Sequence, residues 1–393
     1  MKRLDDIKKY YIFRALIKRY PLPIIALFMI DVGVSVEQVA LIFTVSAVLE
    51  LIFEVPSGAI ADAIGHKKSL LISMSGQAIA MALYLGASFE WVFAGHILYY
   101  VSGSLMTGSL LLIFFERLKV LGREHEYRKL PARAKSVSQG VGILFMATAG
   151  LAYMWQWWLP FTIGILQFVL AGVLISTFGK TANASAVKFD LYSLTWKQIR
   201  EALKIFSTKP VVLWALLPVA FFTSAMDTFH NFDQILLSNF GLTAVLISFV
   251  YVAKRFVGML APFLGGWLTK KGVSDAWIFS GGLLASGLVA MALGLITNPI
   301  IWIGLMLIAM ALYIALGIVS NDVINHQIDS GARATVLSFG HLASGIVHTA
   351  GVAGVGVLLG VLPLQAALLV WGIVIFIFLL LVITPMHRAI SRA

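Results

Sequence analysis

Long runs of apolar residues follow one another along the whole chain and are separated by short polar stretches. Most runs are close to the roughly 20 residues that a helix needs to cross about 30 Å of hydrocarbon. Backbone groups inside a bilayer must be hydrogen-bonded within the protein, and runs of this length do so as helices. The fold class predicted is an all-α membrane protein with twelve transmembrane helices. The predicted spans are residues 11–31, 37–58, 69–88, 91–115, 134–154, 158–178, 211–232, 243–266, 277–297, 299–321, 334–361 and 364–385.

The first of these runs is the least apolar, because Arg14, Lys18 and Arg19 precede its apolar part, Leu22 to Ile30. The distribution of charge supports counting it as a span. With all twelve spans and a cytoplasmic N-terminus, every lysine and arginine falls in a cytoplasmic segment or inside a span, as the positive-inside rule requires. Both termini are therefore predicted to be cytoplasmic. The exterior loops then carry only the acidic residues Asp31, Glu37, Glu90 and Asp233.

An internal repeat relates the two parts of the chain. A shift of 208 residues places Gly33 on Gly241 and Gly58 on Gly266. Two parallel six-helix repeats, related by an axis along the membrane normal, produce such a register. The predicted domains are an N-terminal six-helix half at 1–178, a cytoplasmic linker at 179–210 and a C-terminal six-helix half at 211–393.

The linker contains a pattern of apolar residues at helical spacing. Trp196, Ile199, Leu203 and Phe206 recur every three or four residues, with basic residues between them. This pattern favours an amphipathic helix on the inner membrane surface. A simple tether between the two halves is the alternative and is compatible with it.

The composition agrees with a polytopic membrane protein. The chain is 60% hydrophobic and 12% charged, against about 45–50% and about 25% in soluble domains. The absence of cysteine excludes disulfides, thiolate metal sites and cysteine nucleophiles. A net charge of +11 is explained by location at the membrane surface, so no nucleic-acid partner is expected. The N-terminus is not expected to be a cleaved signal peptide.

One polar segment, EVPSGAIADAIGHKKS from Glu54 to Ser69, separates the second and third apolar runs and is expected to be a loop at the membrane surface. It resembles the loop between the second and third helices of the major facilitator superfamily, whose pattern is roughly G-x-x-x-D-x-x-G-[RK]-[RK]. Two of the arginines of that family appear here as Ala63 and His66. The residues that match the pattern are Gly58, Asp62, Gly65, Lys67 and Lys68.

Further segments are similar to a bacterial and archaeal branch of the same superfamily, namely residues 23–28, 114–134 and 333–346. The resemblance implies a transporter that works by alternating access. It also implies that Asp62 faces the start of the eleventh helix near Ala334 when the cytoplasmic side closes. A carboxylate near a helix N-terminus gains about 0.3–1 kcal/mol. The five matching residues would then form a conformational latch, and a solvated turn is the alternative.

Two carboxylates lie inside the second span. Glu50 and Glu54 are four residues apart and share one helix face. A carboxylate at the depth of Glu50 costs about 2.5–3.5 kcal/mol unless it faces water or a cation. A proton carrier, a substrate-site residue and a structural ion pair are the roles open to it.

Cations inside the spans are unusually frequent. Lys254 and Arg255 lie near the middle of the eighth span, and the repeat places Lys254 on Ser46, which shares a face with Glu50. A positive cavity suits a carboxylate, a phosphate or a sulfonate. Snorkelling to the inner interface is the alternative for the cations of the first span. The predicted substrate-binding residues are Lys18, Glu50, Lys254 and Arg255.

The seventh span adds polar residues at helical spacing. Asp227 and His230 are three apart, and histidine titrates near neutral pH. Together with Glu50 and Glu54 they are the predicted proton-coupling residues. As a metal pair they lack further ligands, so no metal is expected. The isolated histidines His96, His341 and His348 are expected to be hydrogen-bonded packing residues.

These patterns predict a secondary active transporter that moves a small organic solute, with a lean towards an anion, across a prokaryotic cytoplasmic membrane. No nucleotide-binding motif and no interpretable nucleophile–base set is present, so a proton gradient, no cofactor and no enzymatic activity are expected. Efflux is favoured by the resemblance, and the expected state is a monomer in the lipid bilayer. A broad-specificity drug or lipid exporter is the alternative within transport. A non-transporting membrane receptor or scaffold is the alternative of another class.

Overall fold

The computed structural model describes residues 6–120, 122–126, 129–179, 191–270 and 272–392. These residues form α-helices joined by short turns, with two 3₁₀ segments at Leu22–Ile24 and Glu124–Glu126 and no strand. The helices are α1 Asp6–Leu16, α2 Ile25–Asp31, α3 Val36–Ile64, α4 His66–Tyr84, α5 Phe89–Val120, α6 Lys129–Trp155, α7 Leu159–Ser176, α8 Leu191–Thr208, α9 Pro210–Asn239, α10 Ala244–Lys270, α11 Asp275–Leu295, α12 Pro299–Gln327, α13 Ser330–Leu359 and α14 Leu364–Ser391.

Ten helices of this part of the chain are long and apolar enough to cross a membrane, namely α3, α5, α6, α7 and α9 to α14. The all-helical membrane fold is thereby confirmed. Helix α4 occupies the third predicted span, but polar residues such as Ser73 and Gln77 interrupt its apolar sequence. The first predicted span is divided between α1 and α2. The total of twelve crossings stays a prediction.

The break in the first predicted span has a local cause. Helix α1 ends at Leu16, and the chain passes through a turn and a 3₁₀ segment before α2 begins at Ile25. Pro21 and Pro23 lie in this stretch; proline lacks a backbone N–H and disfavours the α conformation of the residue before it. A continuous helix over 11–31 was therefore the wrong expectation, and Lys18 and Arg19 lie at a helix break.

The predicted loop at 54–69 is also largely helical. Helix α3 continues through Pro56 to Ile64, and α4 begins at His66, so the turn is the single residue Gly65. Gly65 has φ 91°, which L-residues with a side chain rarely adopt. The glycines, the proline and the charged residues of this segment favoured a loop. One proline removes only one helical hydrogen bond, so α3 can continue through Pro56. Gly58 and Asp62 consequently lie on the last turns of α3.

The helices form two compact units, the first of Met1–Leu191 with Leu242–Val252 and the second of Tyr192–Gly241 with Ala253–Ala393. In the first unit α4 packs between α5 and α7, while α1 packs on α6 and α7. In the second unit α9 packs against α12, α13 and α14, and α11 packs along α14. The predicted domain boundaries at 178 and 210 stay a prediction.

Helix α8 occupies the predicted amphipathic stretch. Phe206 is 5% exposed and contacts the ring of Phe339 with centroids 5.1 Å apart, whereas Leu203 and Lys204 are exposed. The side chain of Trp196 lies outside the described residues. A position on the membrane surface remains a prediction for this helix.

Candidate functional site

A buried charge cluster lies in the second unit, where α9 faces α10. The side chain of Asp233 is fully buried, and its Oδ2 accepts a hydrogen bond from Nζ of Lys254, which is 7% exposed. Nδ1 of His230 lies 2.9 Å from the same carboxylate oxygen and 3.2 Å from the lysine Nζ. One oxygen and two nitrogen atoms of three titratable groups therefore meet at a single point.

The histidine can hold its proton in two ways at this point. With the proton on Nδ1 it donates to Asp233, and without that proton Nδ1 accepts from Lys254, so the two contacts exclude each other. The side chain of His230 is 39% exposed, whereas its two partners are buried. His230 is thus the most exposed member of the cluster.

Asp233 is the residue that sequence reasoning missed. The seventh span was predicted to end at residue 232, which placed Asp233 in an exterior loop, but α9 extends to Asn239. The position three residues after His230 on the same helix face was the available signal. The correction matters because it gives Lys254, a predicted substrate-binding residue, a carboxylate partner.

The other predicted residues of this unit take no part in the hydrogen bonds of the cluster. Asp227 is exposed on α9, and Arg255 is partly exposed on α10. Neither makes an ion pair or hydrogen bond with a described residue. Nδ2 of Asn231 and Nε2 of His348 lie 3.0 Å apart and join α9 to α13, so His348 is hydrogen-bonded as expected.

A second polar centre lies in the first unit, at the break between α1 and α2. The guanidinium of Arg19 donates a hydrogen bond to the Tyr84 hydroxyl at 3.0 Å. Its Cζ lies 4.0 Å from the ring centroid of Tyr99 and 5.8 Å from that of Tyr100. Its Nε is buried and has no hydrogen-bond partner in the described part of the chain.

The Tyr84 hydroxyl links Arg19 to a buried histidine. The oxygen of Tyr84 lies 2.7 Å from Nδ1 of His96, which is 1% exposed. The hydroxyl accepts from Arg19 and also hydrogen-bonds Nδ1 of His96, in a direction that depends on the tautomer of the histidine. His96 is therefore a hydrogen-bonded packing residue, as expected.

The remaining residues of the first unit that were predicted to bind substrate or carry protons are Lys18, Glu50 and Glu54. Lys18 donates to Oε1 of Gln139 at 3.4 Å, which joins the helix break to α6. Glu50 is exposed on α3. The side chain of Glu54 lies outside the described residues, so its predicted role stays a prediction.

Basic residues of the predicted latch bind the end of a neighbouring helix. Lys67 donates to the carbonyl groups of Ser176 and Phe178 at 2.8 Å each, at the C-terminus of α7. Oδ1 of Asp62 lies 3.7 Å from Nε2 of His66. Lys68 is exposed. Lys67 thus neutralises the negative end of α7, and the latch function stays a prediction.

Arg117 and Lys9 hold a carboxylate near the N-terminus. Asp6 accepts from Nε and Nη2 of Arg117 at 2.8 and 2.5 Å and from Lys9 at 3.2 Å. Burial opposes ionisation of Asp6, but these hydrogen bonds and charges outweigh it and lower the pKa of Asp6 below its usual value. Across the described residues, no group of three or more metal-ligating side chains is present.

Comparison with known proteins places these features in a family. The model of the Major Facilitator Superfamily matches residues 10–352. The uncharacterized MFS-type transporter YxaM of Bacillus subtilis (strain 168) is 24% identical over 271 residues, which are 68% of this chain and 67% of that protein.

Solved transporters share the fold at low identity. A mutant of the nucleoside transporter NupG is 12% identical with a TM-score of 0.74 and covers 98% of both chains. The peptide transporter POT, as a mutant in complex with alafosfalin, is 14% identical with a TM-score of 0.72, covering 98% of this chain and 95% of its own. A bacterial homolog of the human lysosomal transporter Spinster, inward-facing and unoccupied, is 15% identical with a TM-score of 0.70 over the same shares.

Proposed function

We propose that this chain, which belongs to the Major Facilitator Superfamily and is a transporter rather than an enzyme, moves a small organic solute by alternating access and couples this movement to protons. The observation that carries the proposal is the buried cluster of Asp233, Lys254 and His230. The membrane proposed is the cytoplasmic membrane, with both termini inside and a single chain as the working unit.

The cluster is suited to proton coupling because its two charges depend on each other. A buried carboxylate and ammonium are tolerable as a pair, and removal of one charge leaves the other uncompensated, which costs about 3–5 kcal/mol. Protonation of Asp233 would therefore leave the charge of Lys254 without its partner. The uncompensated charge of Lys254 then favours a rearrangement of the contact between α9 and α10. In this scheme His230 transfers the proton to Asp233.

The same cluster links protons to an anionic solute. While Asp233 is ionised, Lys254 is neutralised and attracts an anion weakly. Once Asp233 is protonated, Lys254 becomes available to the carboxylate or phosphate of a solute. This order favours co-transport of proton and anion, whereas the family resemblance favours efflux, and a flux measurement decides the direction. Asp227, Arg255, Glu50 and Glu54 remain further candidates in this scheme.

The first experiment identifies a ligand. The purified chain is screened by thermal shift against anionic, neutral and cationic metabolites and drugs at two pH values, since a ligand that binds only the folded state raises the melting temperature. Stabilisation confined to anions supports the proposal. Stabilisation by unrelated amphipathic compounds favours a broad drug or lipid exporter. Bound ligands that show no counterflow in proteoliposomes favour a receptor or scaffold.

The second experiment tests the cluster with Asp233→Asn. We expect loss of solute accumulation driven by a pH gradient, while counterflow exchange without a gradient persists, because the asparagine cannot change its charge. Asp322→Asn, an exposed aspartate on α12, is the matched control and should retain accumulation. The double variant Asp233→Asn with Lys254→Met removes both charges and guards against misfolding by an unpaired lysine. Wild-type accumulation in Asp233→Asn would refute coupling through this cluster.

A further inference from the structure

Arg19 is a partly buried cation that forms no ion pair with a carboxylate among the described residues. Its neighbours are the neutral side chains of Tyr84, Tyr99 and Tyr100. Its Nη2 donates to Tyr84, and its Nε is buried with no acceptor among the described residues. A cation in a predicted membrane span is costly and is in general retained for function.

The surroundings hold the guanidinium in a defined plane. The ring of Tyr99 lies under the guanidinium at 4.0 Å, which is a cation–π contact. The Tyr84 hydroxyl fixes one nitrogen and is itself hydrogen-bonded to His96. Tyr84 is itself fully buried and stacks on Phe161 with centroids 5.2 Å apart. The charge is thus positioned by rigid neutral groups, and none of them cancels it.

The residues of this site differ in their exposure. Arg19, Tyr99 and Tyr100 are each partly exposed, in contrast to Tyr84 and His96. The helix break before Pro21 places Arg19 outside a regular helix. The guanidinium and the two tyrosine rings beside it are therefore the partly exposed members of the site.

We infer that Arg19 binds the oxyanion group, a carboxylate or a phosphate, of the transported solute, and that Tyr99 and Tyr100 contact the body of that solute. The guanidinium fork matches both oxyanions in two-point geometry. Tyr84 acts as a positioning residue for Arg19. The inference rests on the proposed function, because it names the solute class and the residue that recognises it.

The test uses matched acids and a matched amide on the full-length chain in lipid nanodiscs. Benzoate, phenyl phosphate, benzamide and inorganic phosphate are titrated, and the melting temperature is recorded. We expect stabilisation by benzoate or phenyl phosphate and none by benzamide. Stronger stabilisation by benzoate than by phenyl phosphate indicates a carboxylate site, and the reverse indicates a phosphate site. A comparison of phenyl phosphate with inorganic phosphate shows whether the aromatic ring contributes to binding.

Variants assign the effect to Arg19. Arg19→Gln should weaken the apparent affinity for the acid by about tenfold or more, since charged hydrogen bonds contribute about 1.5–3 kcal/mol. The affinity of Arg19→Lys for the acid should lie between those of the wild type and Arg19→Gln, because lysine keeps the charge and loses the planar fork. Arg133→Gln, an exposed arginine of α6, is the control and should bind as the wild type does.

Tyr84→Phe removes only the hydroxyl and keeps the ring. A positioning role predicts a raised half-saturation concentration for the acid in counterflow, with an unchanged maximal rate. This variant also keeps the test decisive if Arg19→Gln fails to fold.

Equal stabilisation by benzoate and benzamide, no stabilisation by any acid, or an unchanged affinity in Arg19→Gln would each overturn the inference. Proton-driven transport of a neutral solute would overturn it as well and leave the proposed function intact. Binding of acids through Arg19 without counterflow would instead overturn the proposed function alone.

Discussion

Asp6 and Asp233 are two sequestered carboxylates that are each held by two bases. Arg117 and Lys9 hold Asp6, while Lys254 and His230 hold Asp233. The first group joins the carboxylate to a guanidinium and an ammonium, whereas the second contains a histidine whose side chain is 39% exposed. The contact near the N-terminus, called the clamp below, and the contact in the second unit are therefore alike, and only the second is proposed to respond to protons.

The clamp at Asp6 predicts a stability that depends on pH. The pKa of Asp6 is lowered in the folded chain, so its contribution is fully present above the ordinary aspartate pKa of about 3.9 and is lost as pH falls through the folded value. Asp6→Asn should therefore lower the melting temperature at pH 7, and the difference from the wild type should shrink below about pH 4.

The control for this clamp is Asp329→Asn, which changes an exposed aspartate before α13. It should show no comparable difference at either pH. A deficit of Asp6→Asn that stays constant down to acid pH would mean that packing, rather than the ionised carboxylate, stabilises this contact.

At the scale of elements, two helix junctions decide where the functional groups lie. The break before Pro21 presents Arg19 to the tyrosines, and the one-residue turn at Gly65 sends α4 back along α3. Helix α9 carries His230 and Asp233 of the buried charge cluster and is the most enclosed of the ten candidate spans. The polar centre at Arg19 thus lies at a helix break in the first unit, and the charge cluster at Asp233 lies on the most buried candidate span of the second unit.

Gly65→Ala is expected to destabilise the chain by about 1–2 kcal/mol, because a residue with a Cβ is strained at φ 91°. A methyl group would meet no atom within 4 Å at this position, so strain is the only cost. Gly140→Ala in α6 also meets nothing but has an ordinary helical backbone, and it should be neutral or slightly stabilising. Equal melting temperatures for the two variants would contradict this reading of the turn.

At the scale of the whole molecule, alternating access requires that exposed groups inside the spans change their contact with water. The chain contains no cysteine, so a single introduced thiol reports on one position without interference. Glu50 is exposed on α3 and is one of the predicted site residues.

Glu50→Cys should react with a membrane-impermeant thiol reagent at a rate that falls when a stabilising ligand is added. Ligand binding shifts the population between the two access states, and a position inside the pathway follows this shift. Asp329→Cys, at an exposed turn, should react at the same rate with and without ligand. An equal rate of thiol modification of Glu50→Cys with and without ligand would argue against a rocking mechanism around this position.

Much of the fold and part of the site were readable from the amino-acid order. Apolar runs of membrane-spanning length identify most spans, because a backbone in hydrocarbon must satisfy its own hydrogen bonds and an apolar segment of this length does so as a helix. Lys254, His230 and Asp227 stood out because charge inside such runs is costly wherever it lies. The GxxxDxxG segment indicated the family, which the match over residues 10–352 confirmed.

Only the tertiary structure decided which of these groups meet. Asp233 was assigned to a loop because apolar residues become less frequent near the end of the seventh span. In the structure α9 packs against α12, α13 and α14 and stays helical to Asn239. The contact of Arg19 with Tyr84 joins residues 65 positions apart, and no local pattern encodes it. The sequence by itself determined that charged side chains lie within apolar helices, because their place along an apolar run is a local property. The structure determined how they are neutralised, because partners come together only when distant helices pack.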